Sequence, residues 1–521
     1  MEHFTSPVIL GSHEVVARAA DFLRDESNLA AVPVDRVYLP ETTEQVAQVL
    51  DQAKQQGATL AVGGARTGIT GGSVPGPGDW VLSLSRMTGI LGAGLDPATG
   101  QGWVRVQAGV SLADLDRVLA HAPPSELRPP SPGGSWAYPV DPTEWGASVG
   151  GTVATNASGA RSFSFGATGA WVRALTVVLP DGRVREVRRS QVRAVRGILD
   201  WSDGVGRIEL PALPRPRSKS VAGYDVRDDV DLVDLLVGSE GTLAVISEVE
   251  LALQPRLDSI LALFTFLPPG SDALALSREL RDNGAFRPLT LEYLGPEALD
   301  LLRAERMAGA GGEAIPSFPH EAASGLFMEF APENEAALGD LVEGLDEVLR
   351  AFGGDLDSTW AGDDPEEGRR MRALRHAVPD AVNRRVSLAR RQVPGIHKVG
   401  TDLSVPDDAA EEMDGVYRER LSAAGIPFVL FGHAAENHLH ANLIPGSRAE
   451  LEQALEVHQA LAREAVRLGG SVSAEHGIGR LKRNLLTIQF GEDGVARLRS
   501  VKDAFDPDGV LNPGVLFPPR P

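Results

Sequence analysis

Gly63-Gly64-Ala65-Arg66-Thr67-Gly68-Ile69-Thr70-Gly71-Gly72 places five glycines in ten residues, directly after the short β-prone run Thr59–Val62. Glycine at this density lets successive backbone N–H groups converge on an anion without Cβ clashes. The stretch does not match the dinucleotide pattern G-x-G-x-x-G, and it lacks the Lys-Ser/Thr ending of a P-loop. Taken alone, it also fits a tight turn between strands. Three later segments resemble it in texture. Ala147-Ser-Val-Gly150-Gly151-Thr152-Val-Ala-Thr155-Asn156-Ala-Ser158-Gly159 joins small residues to hydroxyl and amide donors. Lys219-Ser-Val-Ala-Gly223-Tyr224-Asp225 is compact and polar, and Gly238-Ser239-Glu240-Gly241-Thr242 is a turn feeding the apolar run to Ile246. Together they supply the backbone donors that a diphosphate and a large flat ring system need.

The surrounding pattern alternates helices and strands. Thr42 or Thr43 can cap a helix with Val46, Val49, Leu50 and Ala53 at helical spacing, ended by Gly57. Strands are expected at Val81–Leu84 and Val104–Val106, and Ser111 caps a helix containing Leu112, Leu115 and Leu119. Val177–Val187 reads as a hairpin turning at Asp181-Gly182. Pro123–Pro142 reads as an ordered loop, and Arg189–Ser218, rich in proline and arginine, as an insertion or mobile loop. Beyond Pro255 the texture changes: Leu261–Leu267 opens an α+β unit, with helical stretches at Glu333–Phe352, Asp363–Arg375 and Leu451–Leu468.

Composition narrows the chemistry. The net charge of -21 disfavours nucleic acid and anionic membranes as broad partners. Cysteine is absent, which removes disulfides, thiolate metal sites, cysteine nucleophiles and cysteine-ligated clusters. Redox chemistry must then rest on an organic cofactor or on a metal held by nitrogen and oxygen. No apolar run reaches the ~20 residues of a membrane span, and the opening lacks a secretory pattern. The expected compartment is the cytoplasm, with peripheral contact to a membrane left open.

Four of the eleven histidines lie in two short segments: His433, His438 and His440 in FGHAAENHLHAN, and His476 in SAEHGIG, beside Glu475. If His438–His440 is extended, both rings leave one face of a strand. Imidazole with carboxylate is a ligand set for zinc, manganese or iron(II).

The glycine segments, in this order, resemble the FAD-binding domain of the vanillyl-alcohol oxidase/p-cresol methylhydroxylase family. The similarity covers about Val37 to Pro513 and runs closest to the D-lactate, D-2-hydroxyglutarate and glycolate dehydrogenase branch. It implies an α+β protein: a two-part FAD-binding domain over residues 1–255 (subdomains about 37–140 and 141–255), then an α+β substrate- and metal-binding domain with an antiparallel sheet over 256–480. Residues 481–521 would pack back near the flavin. By resemblance, Gly63, Gly64, Ala65, Arg66, Thr67, Gly68, Gly71 and Gly72 hold the FAD pyrophosphate. Ser148, Gly151, Thr152, Asn156 and Gly159 lie along the cofactor, and Gly238, Glu240, Gly241 and Ile246 close over it. With no cysteine in the chain and no histidine in the loop, the FAD is expected to be noncovalent.

The branch also carries Gly-His-…-Asn-Leu-His-x-Asn and Glu-His-Gly-x-Gly segments. The resemblance makes His433, His440 and Glu475 ligands of a divalent metal, His476 the catalytic base, Asn442 a substrate contact, and Arg375 the cation for a substrate carboxylate. Lys398 is a second candidate cation, with its register against relatives open by two residues. Ala435, Glu436 and His438 stand where relatives usually have Gly, Asp and Asn. The implied reaction is oxidation of a small D-2-hydroxy acid by hydride transfer to flavin N5. A separate electron acceptor is then required: a quinone, a cytochrome, an electron-transfer flavoprotein, an iron–sulfur protein or oxygen. Two other readings share the fold. One is an alkyl-dihydroxyacetone-phosphate synthase, whose relatives carry a run of histidines where this chain has Ser473-Ala-Glu475-His476. The other is the flavin subunit of a multi-chain glycolate oxidase-type complex. A homodimer is compatible with either.

Overall fold

The computed structural model describes residues 6–257, 259–309, 315–362 and 364–519. The glycine-rich loop follows strand Leu60–Gly63, which pairs in parallel with Trp80–Ser83 in a four-stranded sheet. Helix Thr43–Gln56 packs on this sheet as its sequence requires. The Thr42 side chain accepts the Gln45 N–H, and Gly57 closes the end at φ 62°, a left-handed conformation that favours glycine. Val46, Val49, Leu50 and Ala53 are fully buried, at about 1.5–3 kcal/mol for each of the larger side chains.

A five-stranded antiparallel sheet follows, ordered Ile90–Leu95, Gly102–Gln107, Val245–Ala252, Val172–Val178 and Val184–Arg188. Its edge hairpin pairs Val178 with Val184 across the Asp181-Gly182 turn. The central strand Val245–Ala252 leaves the Gly238–Thr242 turn, so that turn is anchored by the middle of a sheet.

Of the two expectations for Arg189–Ser218, an insertion or a mobile loop, the mobile loop needs correction. Ile198–Trp201 and Gly206–Glu209 form an antiparallel hairpin with Leu199, Trp201 and Ile208 buried. Those residues alternate with polar ones, a two-residue period outweighed in reading by the neighbouring prolines and arginines.

The second half is built on one antiparallel sheet of eight strands. Its order is Trp360–Gly362, Leu261–Leu267, Ser324–Phe330, Thr290–Leu294, Phe428–His433, His438–Leu443 and Val399–Gly400, with Leu403–Ser404 also pairing His438–Leu443. Helix Pro365–Gln392 extends well beyond Arg375, while Asp363 lies outside the described residues. Helix Arg483–Phe505, kinked at Gly491, leads to a tail that returns to the first sheet, where Leu511 bridges Leu60. Among the described residues, no helix is long and apolar enough to cross a membrane.

One buried base couples this packing to pH. His458, on helix Arg448–Arg467, is buried with its Nε2 unpartnered. Burial, reinforced by Lys482, lowers it from 6.5 to about 4. The folded chain therefore binds fewer protons here than the unfolded chain, and stability present above the unfolded value is lost as pH falls toward 4. Melting between pH about 6.5 and 4 should show this loss, and His458→Gln should flatten it by on the order of 2 kcal/mol. Equal slopes in the two proteins would exclude His458 as a source.

Candidate active site

The four-residue turn Ala434–Asn437 joins strands Phe428–His433 and His438–Leu443, pairing His433 with His438 and Phe431 with His440. Side chains two apart on a strand share a face, so His438, His440 and Asn442 look the same way. The loop bearing Glu475 and His476 closes against them. Ring centroids of His433 and His440 are 5.6 Å apart, and His440 stacks on His476 at 5.1 Å. Nitrogens of His433, His438 and His440 and an oxygen of Glu475 all lie within 4.8 Å of one another.

Outer partners fix which nitrogen of each ring faces inward. His433 Nδ1 is 2.5 Å from Glu292, whose other oxygen accepts from Arg375 Nε at 2.7 Å. His440 Nδ1 lies 3.3 Å from the Thr401 carbonyl. In both rings Nε2 is left pointing at Glu475, at 3.2 and 3.3 Å. A carboxylate or carbonyl behind each imidazole, with the opposite nitrogen converging on a carboxylate, is an arrangement that could hold a metal ion. The electrostatics agree. Burial disfavours a charged His433, yet Glu292 and Glu475 outweigh it and push His433 up to about 10. Against the same burial, Arg375 and His433 hold Glu292 at about 2, and His433 and Lys219 hold Glu475 well below the carboxylate range. The cluster demands positive charge, and its donors fit a divalent cation.

Several residues of this site escaped the sequence reading. Glu292 comes from a neighbouring strand. Asp402, fully buried, accepts from His438 Nε2 at 3.0 Å, from the Glu475 and His476 backbone N–H groups at 3.2 and 3.0 Å, from Ser473 at 2.6 Å and from Lys482 at 3.2 Å. Lys219 reaches Glu475 at 3.3 Å, and Glu436 and Ser162 at 2.9 Å each. Its signal was present, since it opens the compact polar segment Lys219–Asp225. Lys398 stands apart: its charged neighbour is Asp380, and it makes no bond to the cluster among the described residues.

The glycine segments meet this cluster. Ser158 donates to Glu475 at 3.2 Å. Glu240 accepts the backbone N–H groups of Ile478 and Gly479 at 2.8 and 2.7 Å, tying the Gly238–Thr242 turn to the His476 loop. Asn512 donates to the Glu240 carbonyl at 2.8 Å and accepts from Val62 at 2.7 Å.

Other glycines and caps are fixed by packing. A Cβ on Gly64 would lie 2.1 Å from Ser148 Oγ, and one on Gly159 would lie 2.0 Å from the Asp141 carbonyl. Ser148 caps helix Val149–Thr155, Thr152 donates to Val149, and Asn156 ends the helix at φ 49° while accepting from Gly169. Gly241 sits at φ 67°, and Ile246 is buried in its strand. Gly68 differs, because a Cβ there meets only open space. Arg66 is half-buried in the same loop, bonded to Phe22, Gly64 and Ser83, with Nη2 buried and unpartnered. An open cradle beside a cation with an unused donor fits the pyrophosphate of FAD. Gly68→Val should therefore yield a folded, colourless protein that melts with FAD-free wild type. A yellow variant would take Gly68 out of the cofactor path.

Two glycine-rich segments thus meet one histidine–carboxylate cluster, in a chain whose family makes it an FAD-dependent oxidoreductase. Residues 34–188 match the profile described as "FAD binding domain", and residues 259–516 match "FAD linked oxidases, C-terminal domain". The chain belongs to the FAD-linked oxidases of vanillyl-alcohol oxidase/p-cresol methylhydroxylase type. It is 29% identical over 506 residues to a D-lactate dehydrogenase of Anaerostipes hadrus, covering 95% of this chain and 92% of that one. Against a D-2-hydroxyglutarate dehydrogenase of Xanthomonas citri pv. viticola it is 27% identical over 500 residues, covering 92% and 89%. Its fold is similar to 4-ethylphenol oxidase from Gulosibacter chungangensis, with TM-score 0.64, 16% identity, and 98% and 94% of the two chains covered.

Proposed function

We propose that this enzyme oxidises a small D-2-hydroxy acid of the lactate, glycolate or 2-hydroxyglutarate class to the 2-oxo acid, using noncovalent FAD and a divalent metal held by His433, His440 and Glu475. The observation that carries the reading is the convergence of two Nε2 atoms on Glu475, each with its Nδ1 engaged from behind. When bound, the ion lowers the pKa of the substrate hydroxyl and FAD accepts the hydride. The protein binds, orients and moves the proton. Arg375 keeps Nε on Glu292 and Nη1 beside His376 Nε2 at 3.3 Å, and offers Nη2 to the substrate carboxylate. Asn442, on the face of His438 and His440, orients the acid. His476 Nδ1 lies toward Asp402 at 3.6 Å, leaving Nε2, 3.5 Å from Glu475, to take the hydroxyl proton. Lys398 acts as a second cation only by turning from Asp380. Electrons then pass to a separate acceptor of the kinds named above.

The test is anaerobic. The yellow, metal-loaded protein is mixed with D- and L-lactate, D- and L-2-hydroxyglutarate, and glycolate, while absorbance at the flavin band is followed. Bleaching by at least one D-acid or by glycolate, with the L-enantiomers inert, is expected. A flavin that stays oxidised with every acid would sink the proposal.

A further inference from the structure

His438 stands where relatives usually have asparagine, and the metal chemistry proposed above gives it no role. It is the most enclosed histidine of the cluster, with no exposed surface. Its ring centroid lies 4.5 Å from that of His440 and 5.2 Å from that of His433, and it belongs to the same convergent donor group. Its Nε2 is taken by Asp402 at 3.0 Å, and its Nδ1 is buried with no partner. A buried ring nitrogen left without a partner is ordinarily destabilising. His438 offers one ring nitrogen to the convergent group, and Nδ1 is the one whose lone pair is unspent. The pattern repeats across the three rings. His433 and His440 each engage one nitrogen outward, on Glu292 and Thr401, and leave the other free toward the cluster. His438 does the same with the nitrogens exchanged.

We propose that His438 Nδ1 is a fourth protein ligand of the metal, with Asp402 as the carboxylate that orients its ring. The proposal rests on the metal-assisted reading above and adds a consequence for metal choice. Four protein ligands close a tetrahedral zinc site, whereas catalytic zinc keeps a position open. An ion that accepts six ligands retains two positions, enough for one carboxylate oxygen and the 2-hydroxyl of a substrate. Three imidazoles and one carboxylate therefore favour manganese, iron(II) or cobalt over zinc as the working ion.

The deciding experiment is a crystal structure of the FAD-loaded full chain with Mn2+, the ion located by anomalous scattering. His438 Nδ1 is expected at a metal–nitrogen bond length from the ion, alongside His433, His440 and Glu475. An ion ligated by those three with His438 Nδ1 more than a bond length away would overturn this inference alone. No bound ion would overturn the metal-assisted reading with it. In calorimetric titration of the metal-stripped holoflavoprotein, His438→Asn should weaken Mn2+ binding by about tenfold or more, as losses around metal sites do. Unchanged affinity in a variant that keeps its flavin would also overturn it. The wild-type crystal structure decides the matter even if that variant fails to fold.

Discussion

His476→Asn is expected to keep FAD and metal yet reduce its flavin ~100-fold more slowly or worse, the usual size for losing a positioned general base. The argument is geometric. His476 stacks on His440 and is held through its own backbone N–H by Asp402, so its ring cannot drift without moving the loop it shares with Glu475. Burial also disfavours its charged form and pushes it down to about 3, against the opposing pull of Asp402. The ring is therefore neutral, with one nitrogen unprotonated and available in the place the substrate hydroxyl would occupy. Asparagine retains the backbone bond to Asp402 and a polar group of similar reach, but it has no basic nitrogen. Stopped-flow reduction under anaerobic conditions, with flavin and metal content measured on the same sample, is the check. Near-normal reduction with both groups retained would place the base on another residue.

Removing the metal should abolish turnover and leave the flavin spectrum intact, because His433, His440 and Glu475 sit apart from the Gly63–Gly72 loop. Glu475→Ala should do the same by mutation. Its loss leaves Lys219 paired with Glu436, which limits the damage to folding. The expected result is a yellow protein, depleted of metal, whose activity falls by several orders of magnitude and which added Mn2+ does not rescue. Stoichiometric metal after Glu475→Ala would remove this carboxylate from the ligand set. Retained turnover in the chelated wild type would remove the metal from the reaction.

Much of this arrangement is readable in sequence because it is local. Helix Thr43–Gln56 announces itself by period, cap and terminal glycine. The His438–Leu443 strand shows its histidines two apart, and Glu475 adjoins His476. What sequence hides is supplied across the sheet. Glu292 lies 141 residues from the ring it holds, and only the placing of Thr290–Leu294 beside Phe428–His433 joins them. Asp402 reaches five donors from the two-residue link between strands Val399–Gly400 and Leu403–Ser404, which has no distinguishing pattern. Lys398 was singled out by charge, but register sets it two residues before Gly400, the residue that pairs with Asn442. A Cβ at Gly400 would lie 2.6 Å from the Asn442 side chain, so a larger residue at that position would push against it.

The clasp formed by Val62, Glu240, the Ile478–Gly479 backbone and Asn512 also sets an order of assembly. Its pieces are made at four widely separated times during synthesis, and the last to emerge is Asn512. Until that residue is in place, the Glu240 turn, though anchored by its strand, lacks one of its holds, and the loop carrying His476 that bonds to it is the less firmly placed. The site is thus completed only once residue 512 has been made and has folded back onto the Glu240 turn and the Val62 strand.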